Sequence, residues 1–421
     1  MGEDCGRRLR VLISAYACEP GKGSEPGVGW NWVRQIARCA DEVWVLTRAN
    51  NREAIERALA KESLPNVRWV YLDLPRWTRF WKKGQRGVHL YYYLWQIGAF
   101  RIGKRLHREV GFDLVHHVTF GNYWMPSFLA LLPARFVWGP VGGGESAPRT
   151  FYRTFSWRGR LYEYARDLAR QLGERDPFTR LTARRATLVL TKAKETERRV
   201  VRMGACDVLV MPEVALPEEE MGVLSRMPPR EGNPFRLLSL GRLLHWKGFH
   251  LGLEAFARLA QEHPQSEYWI VGDGPERRNL ERLAVKLGVQ DRVRFFGALP
   301  RGEALERLAL CDVLVHPSLH DSGGWVCVEA MAAGRPVICL DLGGPALQVT
   351  EETGFKIPAR SPEQVVAHIA QAMLRLAQNS ELRRQMGEAA RCRVREEFTW
   401  GRRGEQIHEI YCRVWNELEC V

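Results

Sequence analysis

Eleven short runs of consecutive apolar residues, divided by stretches with helical spacing, constrain the fold of this chain more than any other feature. Six lie in the first half: LRVLISAY (9–16), DEVWVLT (41–47), VRWVYLDL (67–74), DLVHHVTF (113–120), RFVWGPVGG (135–143) and ATLVLTKA (186–193). Five lie in the second: FRLLSLG (235–241), SEYWIVGDG (266–274), VRFFGAL (293–299), CDVLVHPS (311–318) and PVICLDLGG (336–344). A strand without polar alternation is covered on both faces, which points to parallel sheets flanked by helices. Leu251, Ala255, Phe256 and Leu259, at i, i+4, i+5 and i+8, give one intervening helix its apolar face. Between the halves, PEVALPEEEMGVLSRMPPREGNP (212–234) is rich in Pro and acid, has weak periodicity, and reads as a linker. The expected architecture is α/β: two Rossmann-like domains, 1–212 and 235–400, joined by a linker at 213–234 and facing each other across a cleft. Ligands of such sheets bind beyond the carboxyl ends of the strands.

Composition excludes several classes. The 421 residues are 45% hydrophobic and 26% charged, as in ordinary globular proteins. No apolar run reaches the eighteen or so residues of a membrane span. The start, MGEDCGRRLRVLISAY, lacks the layout of a secretory signal. The ten cysteines form no CxxC pair and no metal-ligand spacing, which suggests reduced structural thiols in a cytoplasmic protein. The net charge of +13 is unevenly placed: residues 1–212 hold 36 Lys+Arg against 20 Asp+Glu, so +16, and the rest sums to −3. Such an excess suits an anionic partner, or is merely a solvated Arg-rich surface.

The loops after the strands carry the chemistry. CEPGKGSEPGVGWNWV (18–33) is Gly-rich and leads into a helix, but its glycines do not fit GxGxxG. Around Gly23 and Ser24 its backbone N–H groups can still approach a phosphate, although such turns are also common structural features. In GRLLHWKG (241–248), Arg242 and Lys247 suit a diphosphate, or equally a pair of surface salt bridges. In HDSGGWVCVEAMAAGRPVI (320–338), Gly323 and Gly324 permit close backbone approach at a helix start. Asp321 and Glu329, eight positions apart, can each accept hydroxyl hydrogen bonds; the plainer reading is a capping Asp and a solvated Glu.

This second half resembles the donor domain of retaining glycosyltransferases of the GT-B fold, family GT4 (glycosyl transferases group 1). The resemblance rests on D-x7-E followed by EAMAAGRPVI, on the upstream GR and KG, and on VGDGP (271–275), FFGAL (295–299) and HPS (316–318) in order. It is strong over about 236–350. It implies that Arg242 and Lys247 neutralise the diphosphate of a nucleotide-sugar, and that the backbone of Ser322, Gly323, Gly324, Trp325 and Val326 grips phosphates and sugar. It further implies that Asp321 holds hydroxyls of the transferred sugar and Glu329 the ribose. Phe296, Gly297, Ala298 and Leu299 would line the base, with Gly272 and Gly274 nearby. Asp321 departs from the family's usual Glu by one methylene, which bears on the donor sugar. No DxD pair is placed for a divalent ion, so neither metal nor cofactor is expected.

In the first half the resemblance is looser. The family's D-x-x-H-x-H has His116 and His117 here, with Val118 at the second His position; His116 keeps the spacing and is favoured slightly as a residue near the transferred sugar, a packed core histidine being the alternative. Gly142, Gly143, Gly144 and Glu145 are candidates for the acceptor side. The segment 398–418 resembles the family's C-terminal helix, expected to cross back to the first domain over about 401–418. Residues 74–110 hold nine Lys+Arg and one acid among Trp77, Phe80, Trp81, Tyr91 to Tyr93 and Trp95. This suits an anionic membrane surface better than nucleic acid. The overall expectation is transfer of a sugar to a glycan or glycolipid acceptor in polysaccharide biosynthesis, peripherally at the inner face of the membrane. The alternatives are a nucleotide-sugar epimerase, a glycan phosphorylase, or a non-enzymatic anion or nucleic-acid binder.

Overall fold

The computed structural model describes residues 9–75, 87–228, 230 and 232–416. It divides into two compact units: Met1–Gly144 with Leu168–Glu213 and Trp400–Val421, and Glu145–Asp167 with Val214–Thr399.

The first unit holds strands β1 (Arg10–Ala15), β2 (Glu42–Arg48), β3 (Val67–Leu72), β4 (Leu114–Thr119), β5 (Arg135–Val141), β6 (Leu188–Thr191) and β7 (Val208–Val210), in the order β3-β2-β1-β4-β5-β6-β7. The second holds β8 (Phe235–Leu240), β9 (Ser266–Val271), β10 (Val293–Gly297), β11 (Val313–His316), β12 (Val337–Leu340) and β13 (Gly354–Ile357), in the order β10-β9-β8-β11-β12-β13. Every pairing is parallel. All residues of β4, β6, β11 and β12 are buried, as their unbroken apolar character requires. In each sheet the strand order reverses once, beside β1 and β4 in the first and beside β8 and β11 in the second. Those are the points where a parallel sheet opens a crevice at its carboxyl edge.

Two boundaries differ from the sequence reading. The stretch read as a linker carries the helix Glu218–Ser225, with Met221 and Leu224 buried, and Val214 and Leu216 fully buried beside it. Leu216 N–H donates to Phe398 O at 2.7 Å, within the second unit. The glutamates that suggested a linker form the first turn of this helix, where acids complement the dipole. Residues 145–167 also belong to the second unit, because Phe151, Tyr152 and Phe155 join the core around Leu243, Phe249 and Phe256. The helix Trp400–Asn416 lies in the first unit, where Arg413 pairs with Asp207 at 2.6 Å and Arg135 covers the Trp415 ring at 4.0 Å.

The aromatic-basic stretch is also corrected. In the helix Val88–Val110, Tyr91, Tyr92 and Trp95 are fully buried and pack around Tyr16, so they are core side chains. Trp77, Phe80, Trp81 and their neighbouring cations lie outside the described residues.

Candidate functional site

In the second unit the loops that leave β8 and β11 meet at the strand-order reversal. Leu319 N–H donates to Trp246 O at 2.7 Å, joining them directly. Gly248, at φ 67°, sits so close to Pro317 that an added Cβ would lie 2.0 Å from its carbonyl oxygen. Only glycine allows this approach.

Asp321 is the hub. Its Oδ2 accepts from Lys247 Nζ at 2.5 Å and His316 Nε2 at 3.1 Å, and its Oδ1 faces the N–H groups of Gly323 at 3.3 Å and Gly324 at 3.2 Å. Burial opposes its charge, but the Lys247 ammonium and the His316 bond outweigh burial and hold the carboxyl well below the ordinary range. A carboxylate offers about four acceptor positions, and here all are filled by the protein. Asp321 thus holds Lys247 and ties down the glycine turn that leads into the helix Trp325–Ala332. Gly324 precedes that helix at φ 64°, and Gln348 Nε2 donates to Gly323 O.

Glu329, two turns into the helix, is buried rather than solvated. Burial raises its pKa, while Arg301, bonded to Oε1 at 2.9 Å, pulls it back. Arg242 is exposed and makes no side-chain bond or ion pair among the described residues. Ser322 Oγ donates to buried Glu145 at 2.6 Å, so Glu145 sits in this unit at the β11 loop. Gly272 and Gly274 pack against the backbone of the Arg242 loop, where a Cβ would lie 1.9 Å from Gly241 O and 2.6 Å from Leu243 O respectively. Phe296 and Leu299 are half-buried, packed with Trp325 on the cluster containing Val326; Gly297 takes φ 76°, and Ala298 is exposed.

Residues that sequence reasoning missed tie these loops together. Fully buried Glu163 Oε1 accepts from His245 Nε2 at 2.9 Å, on the β8 loop, and from His320 Nε2 at 3.2 Å, on the β11 loop. Burial alone would raise the Glu163 pKa; the two imidazoles and Arg166 bring it to about 2. Trp246 stacks between Tyr162 and His320, at 5.1 Å from each. His320 stood beside the quoted motif, but its partner is 157 residues away in sequence.

In the first unit the histidines do not form a reactive pair. His116 is fully buried; its Nε2 donates to Gly139 O at 2.8 Å and its Nδ1 accepts from Tyr411 OH at 2.8 Å. His117, also fully buried, donates Nε2–H to Phe120 O at 3.2 Å, with Nδ1 at 3.2 Å from Ser14 Oγ. Burial lowers their pKa values to about 3 and about 4, so both are neutral core residues. Neighbouring strand residues do point to opposite faces, but both faces are covered. Gly142 and Gly144 are tied inside the unit through Gly121 and Thr196, and the Gly143 carbonyl accepts from Arg170 at 3.0 Å. Gly23 is exposed and Ser24 opens its helix at φ 61°, a left-handed value unusual for serine. Glu25, missed from sequence, accepts Gly121 N–H at 2.5 Å beside the end of β4.

Solved proteins share this architecture over nearly the whole chain. Sucrose-phosphate synthase of Thermosynechococcus elongatus superposes with a TM-score of 0.65 at 21% identity, covering 97% of this chain and 99% of that one. HepE of Anabaena, in complex with UDP, gives 0.64 at 19% identity, covering 96% and 100%. The fold is GT-B. Residues 225–393 match the family Glycosyl transferases group 1. A 2-deoxystreptamine glucosyltransferase of Streptomyces kanamyceticus is 35% identical over 200 residues, 47% of this chain and 50% of its own length. The lipopolysaccharide core biosynthesis glycosyltransferase LpsE of Rhizobium meliloti is 40% identical over 139 residues, 31% and 39%. The chain spans half the length or less of these curated relatives.

Proposed function

We propose that the protein is a retaining glycosyltransferase that moves a sugar from a nucleotide-diphosphate sugar to a glycan acceptor, a lipid-linked or cell-surface glycan precursor. The observation that carries this reading is the loop pair at the β8–β11 reversal, where Arg242 and the Asp321-held Lys247 stand beside a glycine-opened helix start. Two cations and the positive end of a helix at that crevice suit a diphosphate leaving group. The names of similar proteins support it: HepE is described in complex with UDP and with UDP-glucose, and LpsE acts in lipopolysaccharide core biosynthesis.

In this reading Arg242 and Lys247 stabilise the charge that develops on the departing diphosphate, the largest contribution such a site makes. The glycosidic bond loosens toward an oxocarbenium-like state, and the acceptor attacks from the same face, its proton leaving toward the phosphate. Asp321 and His316 keep Lys247 aimed. The free oxygen of Glu329 takes the ribose, with Phe296 to Leu299 along the base. The chemistry needs no metal or cofactor. The enzyme works in the cytoplasm at the inner face of the membrane.

A thermal-shift panel of UDP-, GDP- and ADP-sugars tests the donor assignment. One nucleotide series should raise the melting temperature by about 2–4 °C at saturating ligand, because only the native state binds it. No shift with any of the three sinks the reading. Turnover of the donor without an acceptor would favour an epimerase instead.

A further inference from the structure

The second unit has a cavity of about 410 Å³ at the amino edge of its sheet, the end opposite the loops that leave β8 and β11. Residues that stand just before three strands line it: Gly232 before β8, Asp312 before β11, and Arg335 before β12. The amino-terminal part of the helix Ser380–Glu397 closes the lining, and all of these residues belong to the second unit.

The charges of this lining do not balance. At its exposed edge Arg384 bonds Glu381 at 2.6 Å and Glu388 at 2.7 Å, so those two carboxylates are already engaged. The less exposed lining residues are four arginines, Arg230, Arg335, Arg383 and Arg391, with one carboxylate, Asp312. Asp312 pairs with Arg230 at 2.6 Å, lies 4.0 Å from Arg383, and also accepts the Arg236 N–H at 2.7 Å. Arg335 and Arg391 have no carboxylate within ion-pair distance among the described residues. They donate to carbonyls instead: Arg335 Nη2 to Pro228 O at 2.8 Å and Ala309 O at 2.7 Å, and Arg391 Nη2 to Met227 O and to Ala333 O at 3.1 Å. The Nε of each is buried without a hydrogen-bond partner.

Arg335 is 2% exposed, and a buried guanidinium with an unbonded N–H is costly unless an anion completes it. The arginines also crowd one another. Gly334, at φ 70°, brings the turn before β12 so near Arg391 that an added Cβ would lie 2.5 Å from its Cζ. Burial is the main cause that weakens the charge of Arg335, Arg383 and Arg391, and like charges add to it: Arg391 and Arg230 act on Arg335, and Arg230 on Arg383. Forked guanidinium donors converging on one space suit a phosphate, whose oxygens accept several N–H groups at once. The volume is that of a site for a small molecule.

We propose that this cavity binds a small phosphate-bearing anion, free phosphate or a phosphorylated metabolite, between Arg335, Arg383 and Arg391. Lys247 and Asp321 stand beyond the other end of the same strands, so this is a second site. The inference does not rest on the donor reading.

The test is thermal unfolding of the full chain in sodium phosphate or glycerol 3-phosphate, each against sodium chloride at equal ionic strength. At about 10 mM, roughly ten times a millimolar Kd, the phosphates should raise the wild-type melting temperature by about 2–4 °C over chloride. Arg335→Met and Arg383→Gln should each lose most of that rise; if the first does not fold, the second, which is less buried, carries the comparison. Amide hydrogen exchange of the wild type locates the ligand without any variant. Phosphate should protect 309–312, 334–336 and the start of the helix Ser380–Glu397. No rise over chloride, an undiminished rise in a folded variant, or protection confined to the loops 241–248 and 320–326 each overturns the proposal. A larger rise with glycerol 3-phosphate names a phosphorylated metabolite as the source, and an equal or smaller one names free phosphate; either supports the site. The nucleotide-sugar shift should be unchanged in both variants, which keeps this site separable from the donor assignment.

Discussion

Lys247 and Asp321 form a buried-edge ion pair at 2.5 Å, and what each contributes is separable by substitution. In the proposed function, removing Lys247 takes one cation from the leaving group, while His316 and the Gly323 and Gly324 amides still hold Asp321 in place. Lys247→Ala should therefore fold normally yet lose about a hundred- to thousand-fold in transfer rate, as for other single transition-state contacts. Steady-state transfer by a variant with an unchanged melting profile is the measurement; wild-type turnover would remove Lys247 from the mechanism. The place of Arg242 and Lys247 on the loop after β8 was legible, because residues just past a parallel strand lie at the carboxyl edge of the sheet. The Asp321 network was not, because it depends on His316 being aimed at the same oxygen. His116 was misleading for a related reason: spacing singled it out, but its Nδ1 partner is Tyr411, 295 residues further on.

The eleven apolar runs all became strands, since an unbroken apolar run bounded by turns has few other uses in a two-sided sheet. Strands β7 and β13 escaped notice; three or four residues with little burial on one side do not stand out from their surroundings. The helix Glu218–Ser225 escaped because its acids were weighed as solvated chain rather than as a first turn. A second tie between the β8 and β11 loops, beside the Leu319–Trp246 bond, was invisible for a different reason. It runs through Glu163, on a helix whose sequence suggests nothing about either loop. Glu163 also gives the connection a pH signature. Its pKa falls from an ordinary 4.5 to about 2 on folding, so its stabilisation is complete above about pH 4.5 and is lost as pH falls from there toward 2. The span corresponds to about 3 kcal/mol at most. Glu163→Gln keeps the hydrogen-bonding shape without the charge, so its urea midpoint should fall less than the wild type's between pH 5 and pH 3, both numbers being roughly the edges of the window. Parallel losses in the two proteins would show that the acid sensitivity lies elsewhere.

Neither unit is a continuous piece of chain: the divisions fall at 144/145, 167/168, 213/214 and 399/400. A fragment cut at the sequence-expected boundaries would lose essential parts. Residues 214–399 alone would lack Phe151, Tyr152 and Phe155 from their core, as well as Glu163 from the loop connection. That fragment should be soluble and cooperative only when a peptide of residues 145–167 is supplied, with cooperative melting by circular dichroism as the readout; cooperative melting of the bare fragment would count against the interleaved core. The same interleaving sets a timetable during synthesis. The first unit buries His116 against Tyr411 and closes its sheet with the helix Trp400–Asn416. At roughly 5–20 residues per second on the ribosome, the 295 residues between those two partners take about 15–60 s to emerge. Throughout that interval β4 and the helix Ser24–Cys39 exist without the helix that covers them. A nascent chain of this design leaves the core of its first unit open to chaperones until the helix Trp400–Asn416 has been translated.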